Sequence, residues 1–296
     1  MNEKMLIIQN PVSGMKLKHG LQLQTEKTLS EKYDVDVYRT KSKGDAMRKA
    51  AERGAYYDIV AASGGDGTVN EVIAGLMKLP KEQRPTLACI PAGTSNLLAE
   101  TLKMPPLMHE AAKAMLSYSA KPMDIGNIEN AFFATTISFG FFTDTTYNTP
   151  QPLKNMFGYS AYIMGAIKSL STLEAYKMRV EINDEVIEDE FILGCISNVL
   201  NIGGIIKLDH NVVSVDDGIF EMLFVKKPQN AAEFGELMAA LAYKQYDGEI
   251  MHLYRANEVK IEIEKAIPWT IDGEYLKDYA SVDIKLHHDE LKVLRP

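Results

Sequence analysis

The chain is short of several things, and each shortage excludes something. Its 296 residues hold two cysteines, Cys89 and Cys195. Two thiols so far apart make neither a disulfide framework nor a zinc knuckle. Both fall in apolar stretches, which predicts buried free thiols. No apolar run approaches the ~20 residues that a membrane-spanning helix needs. An excess of positive charge is missing too. The formal net charge is −8, which argues against general nucleic-acid binding and against strong adhesion to anionic membranes. The six histidines, His19, His109, His210, His252, His287 and His288, show no H-E-x-x-H or comparable metal spacing. His287 and His288 are adjacent and would point to opposite faces of a strand. No Gly-Lys-Ser/Thr occurs, so there is no Walker A loop. There is no usable Ser/His/Asp constellation, internal repeat or low-complexity tract. The start, Met1-Asn2-Glu3-Lys4-Met5-Leu6-Ile7-Ile8, lacks a signal-peptide h-region and reads as a first strand, so a cytoplasmic protein is expected.

What is present is an ordinary globular composition, 46% hydrophobic and 24% charged, long enough for two domains. The most informative stretch is residues 61–75, AASGGDGTVNEVIAG. Tyr57-Asp58-Ile59-Val60-Ala61-Ala62 reads as a buried strand that ends in Ser63-Gly64-Gly65-Asp66-Gly67-Thr68. Val69, Val72, Ile73 and Leu76 then recur at helical spacing. Glycines without Cβ let a ligand approach the backbone, and the helix start offers unpaired N–H groups to phosphate. Asp66 is the odd residue. A carboxylate beside phosphate repels it unless a cation lies between them, so nucleotide phosphate with Mg²⁺ is the economical reading. The dinucleotide pattern G-x-G-x-x-G begins at Gly65-Asp66-Gly67 but has Asn70 where the last glycine belongs. The plainer reading of the same residues is an ordinary glycine turn capped by Thr68.

The arrangement recurs along the first part of the chain. Leu6-Ile7-Ile8-Gln9 empties into Asn10-Pro11-Val12-Ser13-Gly14. Val35-Asp36-Val37-Tyr38-Arg39 closes on Thr40. Thr86-Leu87-Ala88-Cys89-Ile90 runs into Pro91-Ala92-Gly93-Thr94-Ser95-Asn96. Helices are expected over residues 20–32, 43–54 and 107–117, and from Leu97. Four strand ends thus deliver polar or glycine residues at the same relative point, and open α/β sheets bind ligands at the carboxyl ends of strands. Strands alternating with helices predict a mainly parallel sheet. From about residue 125 the period becomes two. Met178, Val180 and Ile182 alternate with polar residues, as do Val259, Ile261 and Ile263, and Val282, Ile284 and Leu286. These predict half-buried antiparallel strands and a β-sandwich. Residues 141–172 interrupt them with a helical segment rich in Phe, Tyr and Met. It reads either as a lid touching acyl chains or the membrane interface, or as a helix packed on the sandwich. Val215-Asp216-Asp217-Gly218-Ile219-Phe220 and Trp269-Thr270-Ile271-Asp272-Gly273-Glu274-Tyr275 read as tight Asp-Gly turns that need no ligand.

Gly64-Gly65-Asp66-Gly67-Thr68-Val69-Asn70-Glu71 resembles the signature of the diacylglycerol kinase catalytic domain, whose superfamily includes sphingosine kinases and soluble bacterial lipid kinases. NAD kinases share the GGDGT core, and the attached Asn70-Glu71 favours the lipid kinases. The resemblance extends to residues 10–14, 91–96 and 272–274. It implies an α/β N-terminal domain with a mainly parallel, NAD kinase-like sheet over residues 1–125. An all-β sandwich would follow over 126–286, with a helical lid at about 153–172. Residues 287–296 would return to the first domain. The implied activity is ATP-dependent transfer of the γ-phosphate to a lipid hydroxyl, diacylglycerol to phosphatidic acid first of all. The alternatives are NAD kinase-like phosphorylation of a soluble acceptor, or a non-catalytic nucleotide- or lipid-binding regulator. The resemblance assigns the general base to Glu274 and Mg²⁺ positioning to Asp66. It places ATP against Asn10, Pro11, Val12, Ser13, Gly14, Thr40, Gly64, Gly65, Asp66, Gly67, Thr68, Asn70, Glu71 and Thr94. It places a structural Mg²⁺ on the Asp217 carboxylate and the carbonyls of Ser214 and Ile219. Met15 stands where the family often has a basic residue, which counts against lysine assistance in this turn; Lys16 and Lys18 read as phosphate contacts or as a solvated face, and the resemblance brings Lys154 near phosphate. The expected setting is a cytoplasmic enzyme associated peripherally with the inner face of the membrane. Its partner is a lipid, with no nucleic acid and no transmembrane segment. Exposed sandwich strands could pair two copies into a homodimer.

Overall fold

The computed structural model describes residues 2–13, 19–140, 174–202, 206–208, 213–271 and 274–296. Gly14, Lys16, Lys18, Lys154, Asp272, Gly273 and the expected lid at 153–172 lie outside the described residues. Among the described residues no helix is long and apolar enough to cross a membrane.

The short aliphatic runs form strands β1 (Lys4–Gln9), β2 (Asp34–Arg39), β3 (Ile59–Gly64) and β4 (Thr86–Pro91). β1 pairs in parallel with β2 and β3, and β3 with β4. The order in space is therefore β4-β3-β1-β2. Met5, Leu6, Ile7 and Ile8 are each at most 1% exposed. A strand covered on both faces needs a continuous apolar run rather than an alternating one. Edge strand β2 is the exception, with no fully buried residue. Parallel neighbours require crossover connections. These are α1 (His19–Leu29), α2 (Asp45–Arg53) and α3 (Asp66–Leu76), followed by α4 (Leu97–Thr101) and α5 (Met108–Met115). The observed helices lie mostly inside the expected spans. α2 and α3 pack backbone to backbone: a Cβ on Gly75 would stand 2.3 Å from the Met47 carbonyl oxygen and 2.7 Å from the Ala50 Cβ.

The chain divides into two compact units. The first comprises Met1–Thr135, Ser214–Gly218 and Leu286–Pro296. Beyond α5 it contains the hairpin of β5 (Ser119–Ile128) and β6 (Ala131–Phe133). Its C-terminal piece is the end of β15 (Glu274–Arg295), where Val293 pairs in parallel with Leu87 of β4. Arg84 fastens that piece by donating to the Glu290 carbonyl at 3.1 Å and to its carboxylate at 2.5 Å.

The second unit comprises Thr136–Val213 and Ile219–Lys285. Its strands are β7 (Thr136–Gly140), β8 (Tyr176–Ile182), β9 (Glu185–Ser197), β10 (Asn201–Ile202), β11 (Ile206–Lys207), β12 (Phe220–Lys226), β13 (Met251–Ala256), β14 (Glu258–Ile271) and the first half of β15. β10 and β11 form a small antiparallel pair. The other pairings in this unit are antiparallel too. The period-two stretches bury the expected side: Met178, Val180, Ile182, Val259, Ile261 and Ile263 are all at most 7% exposed. The two long strands change partner midway. β9 pairs with β8 from Glu185 to Phe191 and with β7 from Leu193 to Ser197. β14 pairs with β8 at Lys260–Ile263 and with β7 at Trp269–Ile271. Its ladder with β15 is interrupted between Glu262 and Ile267. Strands that bend and switch sheets make the corners of a sandwich. Phe139 and Trp269 fill the interior with ring centroids 5.0 Å apart. Gly194 makes room, since a Cβ there would stand 2.1 Å from the Phe139 ring.

The expectation that this unit is all-β is corrected by helix α6 (Ala231–Tyr243). Asn230 Oδ1 accepts from the amides of Ala232 and Glu233, and Glu233 reaches back to the Gln229 amide at 2.7 Å. This is a capping box one position out of its usual register. Leu237 anchors the helix in a cluster with Ile192, Leu193, Leu223 and Val225.

Candidate active site at the strand tips

The carboxyl ends of β1, β3 and β4 are stitched to one another. The Asn10 amide donates to the Ser63 carbonyl at 2.9 Å, continuing the ladder past the end of β1. The Asn10 side chain then works in two directions. Its Oδ1 accepts from the Val12 amide at 3.1 Å, which folds the turn, and its Nδ2 donates to Thr68 Oγ1 at 3.2 Å. Ser13 Oγ accepts from the Gly65 amide at 2.8 Å. Residues 10–13 are thereby held against the glycine turn that precedes α3.

The glycines are steric necessities at this point. A Cβ on Gly64 would lie 2.4 Å from Thr68 Oγ1, and one on Gly93 would lie 2.4 Å from the Gly65 Cα. Asn96, in the left-handed region at φ 52, closes the third turn around Gly93. It accepts from the Gly93 amide at 2.9 Å and donates to the Gly93 carbonyl at 3.0 Å.

Asp66 joins two of these turns. It is the first residue of α3, and its Oδ1 accepts from the amide of Leu97, the first residue of α4, at 2.6 Å. Burial pushes its carboxyl above the ordinary range, against the pull of amides from Leu97, Leu98 and Asn96. Mg²⁺ is commonly held by one or two carboxylates with waters and substrate phosphates completing its octahedron. The partly buried Asp66 carboxylate beside the glycine turn offers one ligand of that kind.

The Thr40 amide donates to the Gln9 carbonyl at 2.9 Å, so the tip of β2 lies beside that of β1. Pro11, Val12, Gly67 and Thr94 are exposed. Asn70 Oδ1 is buried with no hydrogen-bond partner among the described residues. Glu71 is used differently from the expected nucleotide contact. Its two oxygens accept from the amides of Gly44 at 2.7 Å and Ala46 at 3.1 Å, at the start of α2.

Of the residues expected to hold a structural Mg²⁺, Ser214 and Asp217 belong to the first unit and Ile219 to the second. Ser214 Oγ donates to Asp216 at 2.7 Å, and Asp216 pairs with Arg295. Asp217 is exposed. Glu274 opens β15 in the second unit and is exposed.

Sequence reasoning passed over Asp124. Its side chain is fully buried on β5. It accepts from the Gly218 amide at 2.7 Å, the Asp289 amide at 2.9 Å and His288 Nδ1 at 2.8 Å. One carboxylate thus gathers all three segments of the first unit. Asp124, His288 and Asp289 are close enough to hold a metal, but Asp124 already spends its oxygens on these donors. Its charge raises the His288 pKa, first through the hydrogen bond and then through space. The available signal was a lone aspartate inside the apolar strand Met123-Asp124-Ile125.

Comparison with known proteins identifies the family. The family model "Diacylglycerol kinase catalytic domain" matches residues 4–128. The model "YegS C-terminal NAD kinase beta sandwich-like domain" matches residues 136–295. A diacylglycerol kinase of Bacillus subtilis (strain 168) is 33% identical over 274 residues, covering 91% of this chain and 89% of the relative. One from Staphylococcus saprophyticus is 31% identical over 278 residues, covering 93% and 90%. A crystal structure of a diacylglycerol kinase from Bacillus anthracis str. Sterne superimposes with a TM-score of 0.77 at 26% identity, covering 99% of this chain and 97% of that one. With two family models and relatives along almost its full length, the chain belongs to the diacylglycerol kinase family of ATP-dependent lipid kinases.

Proposed function

We propose that this kinase phosphorylates diacylglycerol to phosphatidic acid at a membrane surface, using ATP and Mg²⁺. One observation carries the reading. Three neighbouring parallel strands end in turns locked together by Ser13–Gly65, Asn10–Thr68 and the Gly65–Gly93 contact. Glycine turns at strand tips leave no Cβ between the backbone and a ligand, which suits the close approach of a triphosphate.

Phosphoryl transfer asks a protein mainly for positioning and charge neutralisation. Asn10, Ser13, Gly14, Gly64, Gly65, Gly67, Thr68, Asn70 and Thr94 would cradle the phosphates, with Thr40, Pro11 and Val12 along the nucleotide. Asp66 would hold Mg²⁺, which supplies positive charge among the phosphate oxygens. Glu274 would take the proton from the lipid hydroxyl as it attacks. Ser214, Asp217 and Ile219 would hold a second Mg²⁺ with a structural role. In this reading residues 1–125 are the NAD kinase-like nucleotide domain, 126–286 the sandwich and 287–296 a return to the first domain. The enzyme would work from the cytoplasm on the inner face of the membrane, as a homodimer.

The test is radiolabelled ATP with a panel of diacylglycerol, ceramide and sphingosine, and NAD as the soluble acceptor. Label is expected in phosphatidic acid and not in NADP. Glu274→Gln should keep ATP affinity while transfer falls by roughly 10²–10⁴-fold, the usual loss of an acid–base group. Label in NADP alone rejects the lipid acceptor. No transfer to any acceptor, with Glu274→Gln unchanged, rejects the catalytic reading.

A further inference from the structure

We infer that Glu71 is a positioning residue for the nucleotide: it fastens the turn after β2 to helix α3 and does not itself touch ATP. The inference rests on the nucleotide site proposed above. A helix start leaves four amides without partners, and a side chain at the N-cap usually satisfies one or two of them. The N-cap of α2 is Gly44, which has no side chain, stands at φ 81 and makes no side-chain cap. Glu71 supplies the missing cap from another helix, with one oxygen on the Gly44 amide and the other on the Ala46 amide. A carboxylate suits that place twice over, as an acceptor and as a negative charge at the positive end of the helix.

The contact joins two parts of the same site. Glu71 lies in the second turn of α3, the helix that begins at Asp66. The turn it grips begins at Thr40, whose amide is bonded to the last residue of β1. The turn is also braced from within, because Asp45 accepts from the Lys41 amide at 2.9 Å and from Tyr38. One turn of α3 further on, the missing Cβ of Gly75 lets α2 come down onto α3. The β2–α2 turn therefore has its position set by the helix that carries the phosphate-binding glycines. Glu71 adds a side-chain tie between the β2–α2 turn and α3 to the backbone bond from Thr40 and the helix contact at Gly75.

Glu71→Gln tests this. It preserves size but turns an amide N–H₂ toward one of the two backbone N–H groups. Losing a hydrogen bond to a charged acceptor corresponds to roughly ten- to a hundredfold in equilibrium. The amides of Gly44 and Ala46 should exchange with solvent faster by about that factor. The Kd for ATP, measured by calorimetry, should rise about tenfold. The KM for ATP should rise by more than kcat at saturating ATP falls, and the KM for lipid should stay put. Gly44→Ala is the second variant, and it serves if Glu71→Gln fails to fold. A Cβ at Gly44 meets nothing within 4 Å, so it strains only the positive φ, and it should raise the Kd for ATP several-fold with Glu71 intact. Unchanged amide exchange in Glu71→Gln overturns the inference. So does faster exchange with an unchanged Kd for ATP, or a fall in kcat with no change in Kd. A wild-type protein that binds ATP but phosphorylates no lipid removes the acceptor assignment alone, because the effect of Glu71 is read in ATP binding. A wild-type protein that binds no ATP overturns both.

Discussion

Gly93→Ala is the sharpest perturbation of the strand tips. The added Cβ would stand 2.4 Å from the Gly65 Cα and 3.0 Å from Asn96 Oδ1. The first neighbour is backbone in the phosphate turn and cannot rotate away. Ordinary carbon contacts begin near 3.4 Å, so the β3 and β4 turns must separate by about 1 Å. Forcing a methyl group into a packed site costs about 1–3 kcal/mol. In a chain of this size that lowers Tm by roughly 2–4 °C per kcal/mol. Function should suffer more than stability, since a misplacement of about 1 Å in a positioned group can cost ~10²-fold in rate. The control is Gly235→Ala in α6, where a Cβ meets nothing within 4 Å. It should stabilise by about 0.5–1 kcal/mol through helix propensity and leave kinetics alone. Both are read by thermal unfolding and by the dependence of transfer on ATP concentration. If Gly93→Ala has wild-type Tm and wild-type KM for ATP, the two tips are not packed as described and the steric argument fails.

Asp66→Asn should retain the acceptor for the Leu97 amide while removing a buried charge. Because burial raises the Asp66 pKa above 3.8, its contribution to stability is present below the unfolded value and is lost as pH rises through the folded one. The variant should therefore match or exceed wild-type Tm at neutral pH while transfer drops roughly 10²-fold or more; a lowered Tm at pH 7 would contradict this. His288 works through the opposite charge with the same sign. Its pKa is raised above 6.5 by Asp124, so its stabilising charge is complete below about 6.5 and lost above the raised value. His288→Ala should flatten the decline of Tm across that alkaline side, and an unchanged slope would mean that the pair contributes nothing. Burial pushes the Cys89 thiol up to about 12 and the Cys195 thiol higher still. Neither should react with a thiol reagent at pH 8 until the protein unfolds, and rapid modification of the native enzyme would place them at the surface.

Local pattern was enough to read many of the elements. Runs such as Met5-Leu6-Ile7-Ile8 are apolar at every position because both faces of β1 are covered. Lys260 and Glu262 alternate with Val259, Ile261 and Ile263 because one face of β14 meets solvent. α6 had a signal that went unread, since Asn230 and Glu233 bracket its first turn as a cap. The glycines at 64, 65 and 93 were legible as a motif, and two have a steric reason, since a Cβ on Gly64 or on Gly93 would stand 2.4 Å from its neighbour.

Residue type and periodicity set whether a position is buried and which turn it can make, because those depend on the nearest few residues. They do not say which distant group a side chain meets. Glu71 reads like part of a nucleotide loop, and only the packing of α2 on α3 turns it toward amides 27 and 25 residues away. Asp124 looked like any strand aspartate until the folded chain brought it amides 94 and 165 residues distant. The turn Ser214–Gly218 belongs to the first unit although both its flanks belong to the second. Hydrogen bonds at such separations carry no local signature, since the donor and the acceptor are chosen by the fold and not by their neighbours in sequence.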